Sequence, residues 1–439
     1  MNKIGRATLL SLSLLSASAA AQPASSPTRD ALLARLKSIG VQQIMRVALC
    51  PDGRRFTLGA VRPPLSPKLP GTLAASDAIP QGFIQVQQGE SRSLTVFALI
   101  SGQPKALACT LVKGQLAVFV VADTAQGVQV TRLNGQTRTV DWEVISASGD
   151  ARGTDVAVDE RGEVFVVSTV NDLLPLGTHS GVVRQTVLVQ RLSKEGKVLW
   201  NQRLTSAGPN AEDGAAHIAL QGQNAVWVTG QTSGWFGTLP PAEAALKANA
   251  GQKDIFLARL ESGQGRVIAQ TQVGSDQNDV VSALLTTPTG VWLAGYTYGA
   301  LTGEAGGGAD AFAAKFNNLG QLHWLRQFAT PQVEAFTSLV SLPGGQIMAA
   351  GYSEETPQNS GLTQRFSSSG QVLARQLLTR AQGMSIFTLA ADPAGRVYLG
   401  GVSGSGALFA QLSADLQPVW ALPFDQLAEH LDPEPSATP

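Results

Sequence analysis

Cysteine and histidine are scarce in this chain: two Cys and four His among 439 residues. Two Cys are too few for a disulfide-stapled scaffold, and four scattered His without ligand spacing argue against zinc chemistry. Charge is thin as well, at 15% of residues against roughly 25% in an ordinary soluble domain. Lys plus Arg and Asp plus Glu are 32 each, so the formal net charge is zero. Such a chain has no positive field to collect phosphates, which excludes a general nucleic-acid binder. No long hydrophobic run is present either. The apolar stretch Ala7–Ser16 falls short of the ~20 residues that span a bilayer. What is abundant is Gly, with 46 residues, together with aliphatic side chains.

The first 21 residues read as a secretory leader. Lys3 and Arg6 precede the apolar stretch, and Ala19, Ala20 and Ala21 supply small residues for cleavage before Gln22. Loss of the leader shifts the formal charge to −2. The expected location is secreted or periplasmic, where thiols oxidise. Residues 22–41 form a connecting segment with a short amphipathic helix expected over Thr28–Gly40, capped by Thr28 and stopped by Gly40. Residues 426–439 are a polar, Pro-rich tail.

Between them, residues 42–425 repeat seven times. A large residue, two apolar or small residues and a small residue recur as Phe56–Gly59, Phe119–Ala122, Phe165–Ser168, Trp227–Gly230, Trp292–Gly295, Met348–Gly351 and Tyr398–Gly401. The mean step of 57 residues suits four short strands with their turns. Each copy follows a Gly-containing turn such as Asp52-Gly53 or Arg161-Gly162, which marks a first hairpin, strands a and b. A second hairpin follows. Its strand c carries Val187–Leu192, Ile255–Leu260 or Ala311–Phe316, and its strand d carries Trp200, Trp324 or Trp420. Seven units of four antiparallel strands predict an all-β fold, a seven-bladed β-propeller. A pair of β-sandwiches is the structural alternative; a β-helix would need a shorter and steadier period. The large column is expected to pack between blades, and the small column to let neighbouring backbones approach.

Two stretches carry a resemblance. Trp227-Val-Thr-Gly-Gln-Thr232 is followed by Asp254-Ile-Phe256 and Arg259-Leu260; Trp292-Leu-Ala-Gly-Tyr-Thr297 is followed by Asp310-Ala-Phe312 and Lys315-Phe316. These residues resemble the bacterial seven-bladed β-propeller (SBBP) repeat family over about residues 150–425. The resemblance implies an extracytoplasmic propeller and carries no shared catalytic motif. Strand d, in Gly196-Lys-Val-Leu-Trp200, also resembles the quinoprotein propeller repeat, where the Trp is structural.

In such a blade the a–b and c–d turns share one face and are short. The b–c and d–a connections share the other and are long, as at Val61–Gln81, Asn171–Gln185, Ser233–Lys253 and Tyr298–Ala309. Long loops on a rigid scaffold are where binding sits. The binding candidates on that face are Trp235, Phe236, Tyr296, Tyr298 and Tyr352, although Trp235 and Phe236 equally suit pinning their loop. Asp155, Asp213, Asp279 and Glu334 recur near the start of strand a, and so near the channel mouth. They suit either a polar-ligand site or hydrogen bonding to loop backbone. Arg132, Arg191, Arg259, Lys315 and Arg365 form a basic column, expected as a repeated surface or inter-blade ion pair. Cys50 and Cys109, near the a–b turns of the first two blades, suit either a disulfide or two buried thiols. The function expected is a binding or scaffold module for an envelope or extracellular protein or glycan. It is expected to act as a monomer, without cofactor, metal, nucleic acid or membrane span. The alternative is an extracytoplasmic lyase or hydrolase acting on a polysaccharide through the acidic residues.

Overall fold

The computed structural model describes residues 41–61, 82–87, 95–100, 102–176, 179–208, 211–236, 252–354, 358–404, 406–413 and 418–423. The leader, the Thr28–Gly40 helix, the tail with His430, and loop residues 62–81 and 237–251 lie outside them.

The chain folds into seven four-stranded antiparallel sheets, each built from four consecutive strands. Blade 1 holds β1 (Val41–Leu49), β2 (Arg55–Val61), β3 (Gly82–Gln87) and β4 (Thr95–Ile100). Blade 2 holds β5 (Gln103–Val112), β6 (Gln115–Thr124), β7 (Gly127–Asn134) and β8 (Val140–Ser148). Blade 3 holds β9 (Ala151–Val158), β10 (Val164–Leu176), β11 (His179–Leu192) and β12 (Val198–Leu204). Blade 4 holds β13 (Asp213–Gln221), β14 (Ala225–Thr232), β15 (Asp254–Glu261) and β16 (Val267–Val273). Blade 5 holds β17 (Asp279–Thr287), β18 (Gly290–Thr297), β19 (Asp310–Phe316) and β20 (Leu322–Phe328). Blade 6 holds β21 (Val333–Leu342), β22 (Gln346–Glu354), β23 (Ser360–Phe366) and β24 (Val372–Leu378). Blade 7 holds β25 (Met384–Ala391), β26 (Val397–Ser403), β27 (Gly406–Leu412) and β28 (Pro418–Pro423). The first strands touch in order around the ring, and β25 meets β1. This is the seven-bladed propeller that the repeat predicts.

A blade has two apolar faces, so it is stable only between neighbours. The large column does this packing. Phe56, Phe165, Trp227, Trp292 and Tyr398 are buried, and the core divides into clusters that each join consecutive blades. Phe165 and Val189 of blade 3, for example, pack with Val228 and Phe256 of blade 4.

The small column has a different task from the one expected. Every first strand carries a β-bulge beside it, at Met45, Lys105, Thr154, Ala216, Ser282, Thr337 and Phe387. The bulge pushes a strand-a carbonyl onto strand b of the same blade. A Cβ at Gly295 would stand 1.9 Å from the Val280 carbonyl oxygen, and one at Gly230 2.0 Å from that of Gly214. The close approach is therefore within a blade, not between blades.

The basic column does join blades, but through backbone rather than ion pairs alone. Arg132 donates to the Lys194 carbonyl (2.8 Å), Arg191 to Ser262 (2.8 Å), and Lys315 to Ser368 (2.8 Å), each in the second-hairpin turn of the next blade. Each cation also lies near the large residue of its own blade, as with Lys315 Nζ at 5.8 Å from the Trp292 ring centroid. Trp142 and Trp200 reach the same turns, donating Nε1–H to Lys194 and Ser262. Gly196 makes room for this: a Cβ there would sit 3.0 Å from the Trp142 ring.

Closure uses no exchanged strand, because each blade is one stretch of chain. Val47 N–H donates to Thr388 Oγ1 (3.1 Å), and Arg55 Cζ lies 4.6 Å from the centre of the Tyr398 ring. Cys50 and Cys109 form a disulfide between blades 1 and 2, with Cα atoms 5.6 Å apart.

Candidate functional site

The two faces differ as antiparallel order requires, but the long-loop face is less uniform than the sequence suggests. Asn171–Gln185 is not a loop. Strands β10 and β11 remain paired out to Leu176 and His179, so blade 3 extends a long hairpin.

At this end of blades 4 and 5 the Gly-x-Thr and Asp-x-Phe segments meet. Thr232 pairs in register with Asp213 on one side and Asp254 on the other; Thr297 does the same with Asp279 and Asp310. Thr232 donates to Asp213 (2.7 Å), and Thr297 to Asp279 (2.5 Å). The carboxylates then hold the preceding loops: Ser206 N–H and Oγ–H donate to Asp213, and Ser275 N–H and Oγ–H to Asp279. Glu334 accepts from Ser353 (3.2 Å) and from Arg375. These three acids are buried; Asp213 and Asp279 anchor the preceding loops, whereas Glu334 binds strand residues and keeps Oε2 without a hydrogen-bond partner among the described residues. Of the two expected uses of these acids, hydrogen bonding to loop backbone is the one that Asp213 and Asp279 make. Burial pushes Asp279 above the usual carboxylate range, although Thr297 and Ser275 oppose the shift. Among the described residues, no group of three or more His, Cys, Asp or Glu side chains gathers to hold a metal.

Asp155 belongs to a different place. It follows the bulge in β9, and Arg46 in β1 and His217 in β13 occupy the equivalent position. Arg46 donates to Asp155, and His217 Nδ1 lies 3.2 Å from its other oxygen. Blades 1, 3 and 4 are thus tied across the axis of the ring. Burial alone would raise the Asp155 pKa, but Arg46, His217 and the Val156 N–H outweigh it and hold it below the usual range. The sequence shows Arg46 and His217 as isolated residues. Only their common offset from the bulge relates them, and the bulge is a feature of pairing.

The aromatic candidates divide. Phe236 is buried and stacked on Phe256, with ring centroids 4.3 Å apart, and its N–H donates to Gln272. It pins its loop and offers no binding surface. Trp235 is half-buried and bridges to Ala207 through two backbone hydrogen bonds (2.9 and 2.7 Å). The tyrosines, in contrast, come together. Tyr296 and Tyr298 are edge to face with centroids 5.8 Å apart, and Tyr298 is 52% exposed. Tyr296 and Tyr352 each follow the bulge-facing glycine of their blade, in neighbouring blades 5 and 6. Burial, then the charges of Tyr296, Glu354 and Tyr298, raise the Tyr352 hydroxyl above its ordinary pKa. Tyr296 and Tyr298 thus form a ring pair, and Tyr352 stands at the position equivalent to Tyr296 in the adjoining blade.

No protein-family model matches the chain, and no curated protein matches it. Solved structures do. A puromycin-hydrolyzing peptidase from Mycobacterium tuberculosis aligns with a TM-score of 0.55 at 10% identity, over 92% of this chain. The match covers 56% of the peptidase, so the chain spans about half of that protein. The Dos1 propeller aligns at TM-score 0.49 and 11% identity, over 87% of this chain and 84% of that one. At such identities the likeness shows the propeller fold and nothing of the activity.

Proposed function

We propose that the protein is an extracytoplasmic binding module that meets a protein or glycan partner with the tyrosine patch of blades 5 and 6. The observation that carries this reading is the Tyr296–Tyr298 pair, with Tyr298 half-exposed, and Tyr352 at the position equivalent to Tyr296 in the adjoining blade. Tyr rings offer large contact area at small entropy loss, with a hydroxyl for the wet rim. The blades beneath are closed by buried side chains, so the patch is held ready rather than ordered on binding.

Extracytoplasmic location rests on the leader pattern at residues 1–21 and is supported by the Cys50–Cys109 disulfide. Intact mass of the protein recovered from its host is expected to begin at Gln22. Kinship with the SBBP repeats rests on the Gly-x-Thr and Asp-x-Phe segments, whose register gives them a shared structural purpose.

The test compares wild type with Tyr298→Ala and Tyr352→Ala in envelope pull-downs and on a glycan array. The expected result is loss of a specific partner at unchanged melting temperature. Retention of every partner by the double variant would remove the patch from the account.

A further inference from the structure

A cleft of about 520 Å³ opens between blades 2 and 3, beside the base of the β10–β11 hairpin and well away from the tyrosines in sequence and blade order. That volume falls within the roughly 300–1,000 Å³ of small-molecule sites. Its polar lining comprises the carboxylates of Asp150 and Asp172, the guanidinium of Arg203, and the amides of Asn171, Gln190 and Asn201.

Gln190 is the most buried polar residue of the lining. It is 3% exposed. Its Nε2 donates to the Ser146 carbonyl (2.9 Å) and to Asn201 Oδ1 (2.8 Å), while its Oε1 is buried without a partner. An amide oxygen left so costs about 1–3 kcal/mol. The equivalent position, one before the basic column, is Ala258 in blade 4 and Ala314 in blade 5. Gln85 in blade 1 and Gln364 in blade 6 share the position and also keep amide atoms unpartnered among the described residues, but neither lines the cleft.

The other groups are held by hydrogen bonds at one atom and left open at a second. Arg203 (2.6 Å) and Thr186 (2.8 Å) donate to Asp172 Oδ2, and Asn171 Nδ2 donates to Asp150 (2.7 Å). Among the described residues, Asp172 Oδ1, Asn171 Oδ1 and Asn201 Nδ2 have no hydrogen-bond partner. Two carboxylates against one guanidinium disfavour an anion. Interleaved donors and acceptors suit hydroxyl groups, which both donate and accept. Leu188 and Val170, also in the lining, suit the C–H faces of a sugar ring.

We propose that this cleft binds a neutral saccharide. The proposal is independent of the tyrosine patch and stands or falls without it. The full chain is titrated calorimetrically with maltotriose, cellotriose and chitotriose, and with inorganic phosphate as the charge control. Saturable binding of at least one trisaccharide is expected. Asp172→Asn should weaken it more than about ten-fold, the loss that follows from a charge-assisted hydrogen bond. Ser148→Trp, which fills the rim from an exposed position, should abolish it at unchanged melting temperature. Tyr298→Ala should leave it intact. No saturable trisaccharide binding, binding that survives Ser148→Trp, or phosphate bound more tightly than any sugar would each overturn the assignment.

Discussion

Thr388 in the last blade accepts the backbone N–H of Val47 in the first, 3.1 Å away, and the ring closes across this seam. The relation is one of a series. Ser338 accepts Leu389 N–H (2.9 Å), and Asp155 accepts Ile218 N–H (3.4 Å), in each case from the blade that follows. The residue after the bulge is therefore the inner fastening of the ring. Elsewhere the chain itself links consecutive blades, whereas the seam between blades 7 and 1 depends on contacts such as this one.

Closure can be tested at Tyr398, which is buried against Arg55. Tyr398→Phe removes the hydroxyl that Arg55 donates to (3.1 Å) and should cost about 1 kcal/mol. Tyr398→Ala removes the ring and should cost about 3–5 kcal/mol. Urea unfolding of the pair measures the difference. Equal losses would show that the ring itself contributes nothing to closure.

The disulfide spans 59 residues and joins blade 1 to blade 2. Loop-closure entropy gives it about 4 kcal/mol. Reduction, or Cys50→Ala with Cys109→Ala, should lower the melting temperature accordingly. A thiol titration of the unreduced, unfolded chain should find no free cysteine.

The axial cluster predicts acid sensitivity. Because Asp155 ionises below its unfolded value, its contribution is complete above the ordinary carboxylate range and is lost as pH falls through the lowered value. Arg46→Ala should cost about 2–3 kcal/mol at neutral pH, less than a fully buried pair because Arg46 is partly exposed. Denaturation midpoints from pH 2 to 7 should flatten in Asp155→Asn relative to wild type.

Asp254 carries the opposite sign. Burial raises it to about 6, against the opposing hydrogen bond from Gln272 and with a small push from Asp279. Its folded pKa lies above the unfolded one, so stability is greatest below the unfolded value and declines as pH rises toward 6. Asp254→Asn keeps an acceptor for Gln272 and should gain about 1–2 kcal/mol at pH 7, discounted for solvent screening. A gain that persists at pH 3 would point to some other cause.

The bulge can be tested at Gly295. Gly295→Ala drives a methyl against the Val280 carbonyl and should destabilise by about 1–3 kcal/mol. The same blade should tolerate Gly303→Ala better, since a Cβ there meets nothing, although its positive φ adds some strain.

The sequence by itself determined the number of blades, their strand order and the large residues between them. Those features recur at a period that needs no knowledge of distant contacts. It also marked Tyr296 and Tyr352, because the residue after the small column lies toward the loop end of its strand, and Tyr298, because it opens the loop that follows. Tertiary structure alone decided the rest. Phe236 is a loop residue by pattern, and only the fold shows that the Phe256 ring receives it. The glycine column looks like an inter-blade contact until the bulges appear, and bulges are a property of register. Arg46, Asp155 and His217 lie in three separate repeats. They meet because the ring brings its first strands around one axis, a relation that no period along the chain contains.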